Sequence, residues 1–234
     1  MAPPAASCCG DGPVALMRSA GNVATSFLKG CRLRASTGMS SAWLGNLDYW
    51  NEAYASGHYA AGYEWIQTGE VLWPFIERTG LEPTRTNVLH VGCGTSKLSK
   101  MLHDKGFSNL TNVDYSGVVI DAMRSVEPNL RWVCADCAEP GALGPEGAYD
   151  LCIDKGATDS LFEAGTDAYL QKGFAMVAEI HRVLRPNGIF LVFSNIGAGR
   201  PAFLKFFSSV EQDMIEGYSC DLYYKVICVL KCVK

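Results

Sequence analysis

Val88-Leu-His-Val-Gly-Cys-Gly-Thr-Ser96 decides the fold: an apolar strand runs straight into a Gly-x-Gly turn, and a helix is expected from Ser96 to Lys105. With no side chains at Gly92 and Gly94, a ligand can lie directly against the peptide groups. Twenty residues beyond Gly94, a second apolar stretch ends in Asp114-Tyr115. A carboxylate then stands at the tip of the neighbouring strand, where a ribose diol would sit, and the pair points to a nucleoside-containing cofactor. Alone, the turn reads equally well as a tight strand-to-helix connection.

A dinucleotide fingerprint wants a third glycine three residues after the second, for helix packing and pyrophosphate contact. Here that position is Lys97, which disfavours a nicotinamide-dependent oxidoreductase. A Gly-x-Gly turn continuing Thr-Ser-Lys-Leu instead resembles motif I of the class I S-adenosylmethionine methyltransferases. That resemblance implies S-adenosylmethionine as the cofactor.

At 234 residues and 48% hydrophobic, the chain can bury a full core, and its length fits one domain with extensions. The net charge of -4 provides no global basic field for nucleic acid, so a nucleic-acid partner is not expected. No apolar run reaches the length of a spanning helix, so no membrane partner is expected either. Of the ten cysteines, Cys134, Cys152, Cys228 and Cys232 sit in apolar, strand-like stretches, where a reduced thiol packs as a small hydrophobe. Cys134-Ala-Asp-Cys137 has zinc-like spacing without a second ligand pair, so no metal site is assigned.

Residues 1–46 carry Arg18, Lys29, Arg32 and Arg34 against the single acid Asp11, whereas the remainder is net acidic. We read them as a separate basic leader and residues 47–234 as the folded domain. Its Ser/Ala-rich, acid-poor composition is that of an organellar transit peptide, for the mitochondrion or another organelle, or of a disordered extension on a cytoplasmic protein.

Asp48 to Tyr54 and Tyr63 to Arg78 read as two helices capping the core, separated by the loop 57–62. From Asn87, strands and helices alternate: strand 87–91, helix 96–105, strand 110–114, helix 117–126, then strands 131–135 and 149–153. This rhythm implies a parallel sheet in an α/β fold. A long helix follows, with Thr166 as N-cap and Arg185-Pro-Asn-Gly188 as stop, before a fifth strand 189–193. Residues 201–214 look helical, and 218–233 reads as a terminal β-hairpin.

Ligands of open α/β sheets bind beyond the carboxyl ends of the strands. Those positions hold Gly92 and Gly94, then Asp114 and Tyr115, then Asp136 and Cys137, then Asp154, Lys155 and Gly156. Asp114 can accept both ribose hydroxyl protons, Asp136 an adenine amino group, and Tyr115 can pack on the adenine face. Single carboxylates in such places also serve merely as helix caps. Asp150, at the other end of its strand, reads as structural, and His90 as a satisfied, partly buried histidine in preference to a general base.

Four segments resemble one branch of these enzymes, the eukaryotic methyltransferase-like protein-lysine methyltransferases acting on translation elongation factor or mitochondrial citrate synthase. They are Asp48-Tyr-Trp-Asn-Glu-Ala-Tyr54 with Tyr63-Glu-Trp65, Val91-Gly-Cys-Gly-Thr-Ser96, Val113-Asp-Tyr-Ser116 and Asp154-Lys-Gly-Ala-Thr-Asp159. The last is similar to the branch's Asp-Lys-Gly-Thr-x-Asp signature, with Ala157 in place of the threonine. The resemblance covers about residues 47–195 and implies a Rossmann-like seven-stranded sheet of order 3-2-1-4-5-7-6 with an N-terminal helical cap. It further implies that Trp50, Tyr54 and Trp65 close over the cofactor alongside Gly92, Asp114, Tyr115, Asp136, Cys137 and Lys155. Without it, Trp50 and Trp65 read as core aromatics. Methyl transfer to a protein lysine is the expected function; no catalytic residue is assigned, and Asp154 and Asp159 are candidates for orienting the acceptor amine. A small-molecule methyltransferase and a non-catalytic cofactor-binding module are the alternatives.

Overall fold

The computed structural model describes residues 16–17, 41–195, 206–218 and 224–234. Of residues 1–46, expected to be a leader, only 16–17 and 41–46 are among the described residues. The two-residue strand β1 (Leu16–Met17) pairs antiparallel with the sheet's far edge, and Ser41–Gly45 forms a 3-10 turn.

Strand β2 (Asn87–Val91) is the centre of the fold. The pleat sends Val88 and His90 to one face and Leu89 and Val91 to the other, and all four are fully buried. Parallel neighbours flank it: β3 (Asn109–Asp114) and then β4 (Arg131–Cys134) on one side, β5 (Tyr149–Lys155) and then β6 (Leu184–Ser194) on the other. Beyond β6 lie β8 (Tyr224–Val233), antiparallel to it, and β7 (Ser209–Tyr218), antiparallel to β8. Leaving β1 aside, the sheet runs β4-β3-β2-β5-β6-β8-β7, which is the expected 3-2-1-4-5-7-6 order.

Helices cover both faces. On one, α2 (Gly69–Glu77) and α3 (Leu98–Asp104) bury Leu72, Phe75, Ile76, Leu98 and Leu102 against Val88, Leu151 and Ile153. On the other, α6 (Asp167–Val183) lays Met176, Val177, Ile180 and Val183 on Leu89, Cys152, Phe190 and Val192. Each such fully buried side chain contributes about 1.5–3 kcal/mol relative to exposure. The remaining helices are α1 (Leu47–Ala55), α4 (Gly117–Val126) and the short α5 (Ala157–Glu163). Thr166 caps α6 through its hydroxyl, which accepts the Tyr169 N–H at 3.3 Å.

His90 is fully buried where partial burial was expected, and only half satisfied: Nδ1 lies 2.9 Å from the Ser99 hydroxyl, which in turn donates to Asn112, while Nε2 has no hydrogen-bond partner among the described residues. Burial pushes the imidazole down to about 3, so it is neutral at physiological pH. Asp150 accepts the Asn87 N–H and pairs with Arg185, the structural role expected of it. Among the described residues no helix is long and apolar enough to cross a membrane.

The helix expected over 63–78 spans only Gly69–Glu77. Ile66 has φ +75° and Thr68 is extended, so the chain cannot enter a helix before Gly69. The helix expected over 201–214 is also corrected. Residues 201–205 lie outside the described set, and Ser209–Met214 belongs to β7. Pairing with β8, from Ser209 opposite Val233 to Tyr218 opposite Tyr224, overrides the local helical pattern. The terminal hairpin thus starts near 209 and not at 218.

Candidate cofactor site

The glycine turn is built by close approach. Gly92 has φ +57°, and a Cβ there would stand 2.3 Å from the Cβ of Ala157. Only glycine lets the β2 tip meet the start of α5. The turn then folds onto β3: the Cys93 N–H donates to the Val113 carbonyl at 3.0 Å, and the Gly94 N–H to Asp114 Oδ2 at 3.0 Å. The other Asp114 oxygen accepts the Ser116 N–H at 3.0 Å.

These tips open on a cleft with about 890 Å³ of empty space, part of it open solvent. Its floor is Gly92, Gly94, Gly156 and Ala157; Asp114, Tyr115, Asp136 and Cys137 form one side, with Met176 and Lys172 from α6. The opposite wall is aromatic. Trp50 and Tyr54 stack at 5.8 Å, Trp50 meets Trp65 edge-on at 6.0 Å, and buried Tyr59 links the cluster to the exposed Tyr63. The Trp50 indole N–H donates to the Leu44 carbonyl at 2.8 Å, which fixes its ring.

Burial governs the electrostatics. It pushes the Asp114 carboxyl up to about 6 even though backbone N–H donors oppose it. It also raises the thiols of Cys93 and Cys137 and the phenol of Tyr54, so these groups are neutral and unreactive. Lys155 is lowered by desolvation, partly offset by Glu64, with which it pairs at 2.9 Å.

All ten residues expected to hold a cofactor, Trp50, Tyr54, Trp65, Gly92, Gly94, Asp114, Tyr115, Asp136, Cys137 and Lys155, line this one cavity. The Lys155 ammonium, however, is spent on Glu64 and on the Trp65 carbonyl. Asp154 and Asp159 do not line the cavity. Asp154 is fully buried and accepts from the Ala157 and Thr158 backbone and the Thr158 hydroxyl, which anchors the start of α5. Asp159 accepts from the Ser194 hydroxyl and the Asn195 N–H, both at 2.7 Å, and so ties α5 to the end of β6. Neither is placed to orient an acceptor. Two residues absent from the sequence reading do matter. Lys172 pairs with Asp136 at 2.6 Å and lies 5.4 Å over the Tyr115 ring, and Glu64 pairs with Lys155 at 2.9 Å. Among the described residues no group of three or more metal-ligating side chains is present.

The donor set fits an adenosyl cofactor. Asp114 keeps lone pairs for a diol after accepting two backbone N–H groups, Tyr115 offers a face for a base, and bare peptide leaves room for a ribose. Residues 89–192 match the methyltransferase domain family. The chain has the class I methyltransferase fold and resembles the S-adenosylmethionine-dependent enzymes built on it. The eEF1A lysine and N-terminal methyltransferase of Bos taurus is 32% identical over 159 residues, covering 66% of this chain and 22% of that protein. EEF1A lysine methyltransferase 4 of Bos taurus is 34% identical over 155 residues, covering 62% of this chain and 59% of its own. This methyltransferase-fold chain thus spans less than two thirds of the length of these relatives. A solved Burkholderia thailandensis 1,6-didemethyltoxoflavin-N1-methyltransferase superposes with a TM-score of 0.57 at 18% identity, covering 86% and 92% of the two chains. At that identity the likeness concerns the fold.

Proposed function

We propose that this chain transfers a methyl group from S-adenosylmethionine to a lysine side chain of a protein. The observation that carries the proposal is the convergence of four strand tips on one cavity, with Asp114 at the ribose position and Asp154-Lys-Gly-Ala-Thr-Asp159 leading from β5 past its floor. The lysine acceptor is supported by the two relatives named for eEF1A lysine methylation, which align over about two thirds of this chain.

Bound adenosylmethionine supplies an electrophilic methyl group on a sulfonium. The protein's part is alignment. Asp114, Tyr115 and Asp136 would hold the nucleoside, and Trp50, Tyr54 and Trp65 would exclude water from the cavity. A lysine amine, with an ordinary pKa of about 10.4, must lose its proton before it attacks. The aromatic mouth of Tyr59, Tyr63 and Trp65 disfavours the ammonium by desolvation, so no carboxylate base is required. The basic leader supports a mitochondrial site of action.

Tritium transfer from adenosylmethionine into mitochondrial and cytosolic extracts tests this, with Asp114→Ala as the control. Label recovered as methyl-lysine in a protein band, strongest in the mitochondrial extract, is the expected result. Label confined to small metabolites would establish the small-molecule reading instead, and tight binding with no transfer the non-catalytic one.

A further inference from the structure

Glu64 is not among the residues lining the cavity, yet its carboxylate joins three separate parts of the chain. Oε2 accepts the Ser96 hydroxyl at 2.8 Å and lies 2.9 Å from the Lys155 ammonium, and Oε1 accepts the Lys97 N–H at 2.8 Å. The ammonium also donates to the Trp65 carbonyl at 2.6 Å. The Lys155 side chain is 3% exposed and that of Glu64 14%. One more tie holds the same strap, because the Gly62 N–H donates to the Thr95 carbonyl at 2.8 Å.

The strap is held in a conformation it would not choose. Ile66 sits at φ +75°, a region that β-branched residues avoid, one residue after the carbonyl that Lys155 grips. The Trp65 indole lies flush on bare backbone: a Cβ on Gly156 would be 2.8 Å from its Cδ1. Remove the Glu64 charge and Lys155 is left as a buried cation without its partner, while a single amide oxygen remains for donors that two carboxylate oxygens had served.

We propose that Glu64 is a positioning residue of the cofactor site: its pairing with Lys155 clamps the strap 62–66, and with it the Trp65 wall, against the glycine turn. The cavity's affinity for its nucleoside then depends on a carboxylate that never touches it. This rests on the adenosylmethionine reading above.

The test uses the full chain and two measurements: calorimetric titration with S-adenosylhomocysteine, and hydrogen exchange of the ligand-free protein. Glu64→Gln is expected to weaken binding about tenfold or more, and to lose protection at the Gly62 and Lys97 amides while the β2 and β5 core amides stay protected. Glu64→Asp keeps the charge on a shorter arm and falls between the two. Binding by Glu64→Gln within twofold of the parent overturns the proposal, as does loss of protection spread evenly through the core, which marks a merely structural role. If Glu64→Gln does not fold, Lys155→Met must show the same local loss at Gly62 and the same weakened binding, and unchanged binding overturns the clamp. A parent protein that gives no heat with S-adenosylhomocysteine refutes the cofactor reading. The exchange pattern of the ligand-free variants then decides the clamp separately.

Discussion

At the tips of β3 and β5, charged groups are buried, whereas along β7 and β8 they pair in the open. Asp114, Asp154, Lys155 and Asp159 are each at most 5% exposed. On the hairpin, Asp213 meets Arg78 at 2.9 Å and Glu211 meets Lys231 at 3.4 Å, with substantially exposed side chains. Taking an ion out of water costs several kcal/mol even after relaxation. The strand tips meet that cost with backbone N–H donors: from Gly94 and Ser116 to Asp114, from Ala157 and Thr158 to Asp154, and from Asn195 to Asp159. The hairpin avoids the cost altogether. One end of the sheet is thus organised around fixed charge in a confined space, the other around strand pairing alone.

The largest effect is expected where that confinement is tightest. Gly92→Val places a branched side chain at φ +57°, where even a Cβ collides with Ala157. Titration with S-adenosylhomocysteine should show no binding, and denaturant unfolding a loss of about 2–4 kcal/mol from strain and overpacking. A variant that still binds within tenfold of the parent would mean that the β2 tip and α5 can separate freely, and the contrast with the hairpin would lose its basis.

Next comes the titration of the buried acids. Burial pushes both Asp114 and Asp154 from 3.8 to about 6. Because the folded-state pKa lies above the unfolded one, each group's stabilising contribution is full below about pH 4 and is lost as pH rises through about 6. The swing is on the order of 3 kcal/mol per group over the whole window. The ligand-free protein should therefore melt several degrees higher at pH 5 than at pH 7.5. Nucleoside affinity should run the other way, falling as pH drops through about 6, because a protonated Asp114 loses acceptor capacity for the diol. Asp114→Asn should weaken binding about a hundredfold at pH 7.5 and flatten its pH dependence. Calorimetric titrations across pH 5 to 8 check both signs, and parallel trends would count against Asp114 as the diol acceptor.

How far the sequence carries differs between these regions for physical reasons. The glycine turn, the acids after each strand and the parallel core are legible because period-two burial and backbone clearance are local constraints. Thr166 likewise marks the start of α6 by its own chemistry, whereas Arg185-Pro186-Asn187-Gly188, expected as a stop and turn before a strand from 189, lies within β6. Glu64 is not legible as a clamp, since its contacts with Ser96 and Lys97 span 32 and 33 residues and its segment carries the apolar spacing of the helix that follows. The period that suggested a helix from Tyr63 is real only for Leu72, Phe75 and Ile76, which face the core. The Asp154 and Asp159 carboxylates follow the right strand, but one turns back to cap α5 and the other reaches β6, a direction that spacing does not encode. Strand β7 was hidden for the same reason: its partner is β8, and only the closed hairpin makes 209–218 extended.

A smaller effect is expected at the adenine end. Asp136 Oδ1 accepts the Ala138 N–H at 3.0 Å, and Oδ2 is held by Lys172 at 2.6 Å. An exocyclic amino group seeking Asp136 must share that oxygen with an ammonium. Lys172→Met should free it and tighten S-adenosylhomocysteine binding about two- to fivefold, more at low salt than at high, since the pair is partly solvent-exposed. Weaker binding would place Lys172 itself on the ligand and make it a second charge that the crevice uses.

The smallest effect belongs to the hairpin. The Arg78 guanidinium, 38% exposed, pairs with Asp213 and lies 4.4 Å over the Phe75 ring. An exposed ion pair contributes between nothing and about 1 kcal/mol, and a cation over an aromatic face at such a site about 0.5–1 kcal/mol. Arg78→Ala should therefore lower stability by no more than about 1–2 kcal/mol, read from the denaturant midpoint at constant slope. Its affinity for S-adenosylhomocysteine should stay within twofold of the parent. Phe75 and Phe193 are packed edge to face at 6.3 Å in a dense core, so a disturbance at Arg78 has a route toward β6 and the cavity beyond it. Unchanged affinity would show that the packed core absorbs that disturbance before it reaches the strand tips. A larger change would mean that charge at the open edge and charge in the crevice are coupled through the sheet.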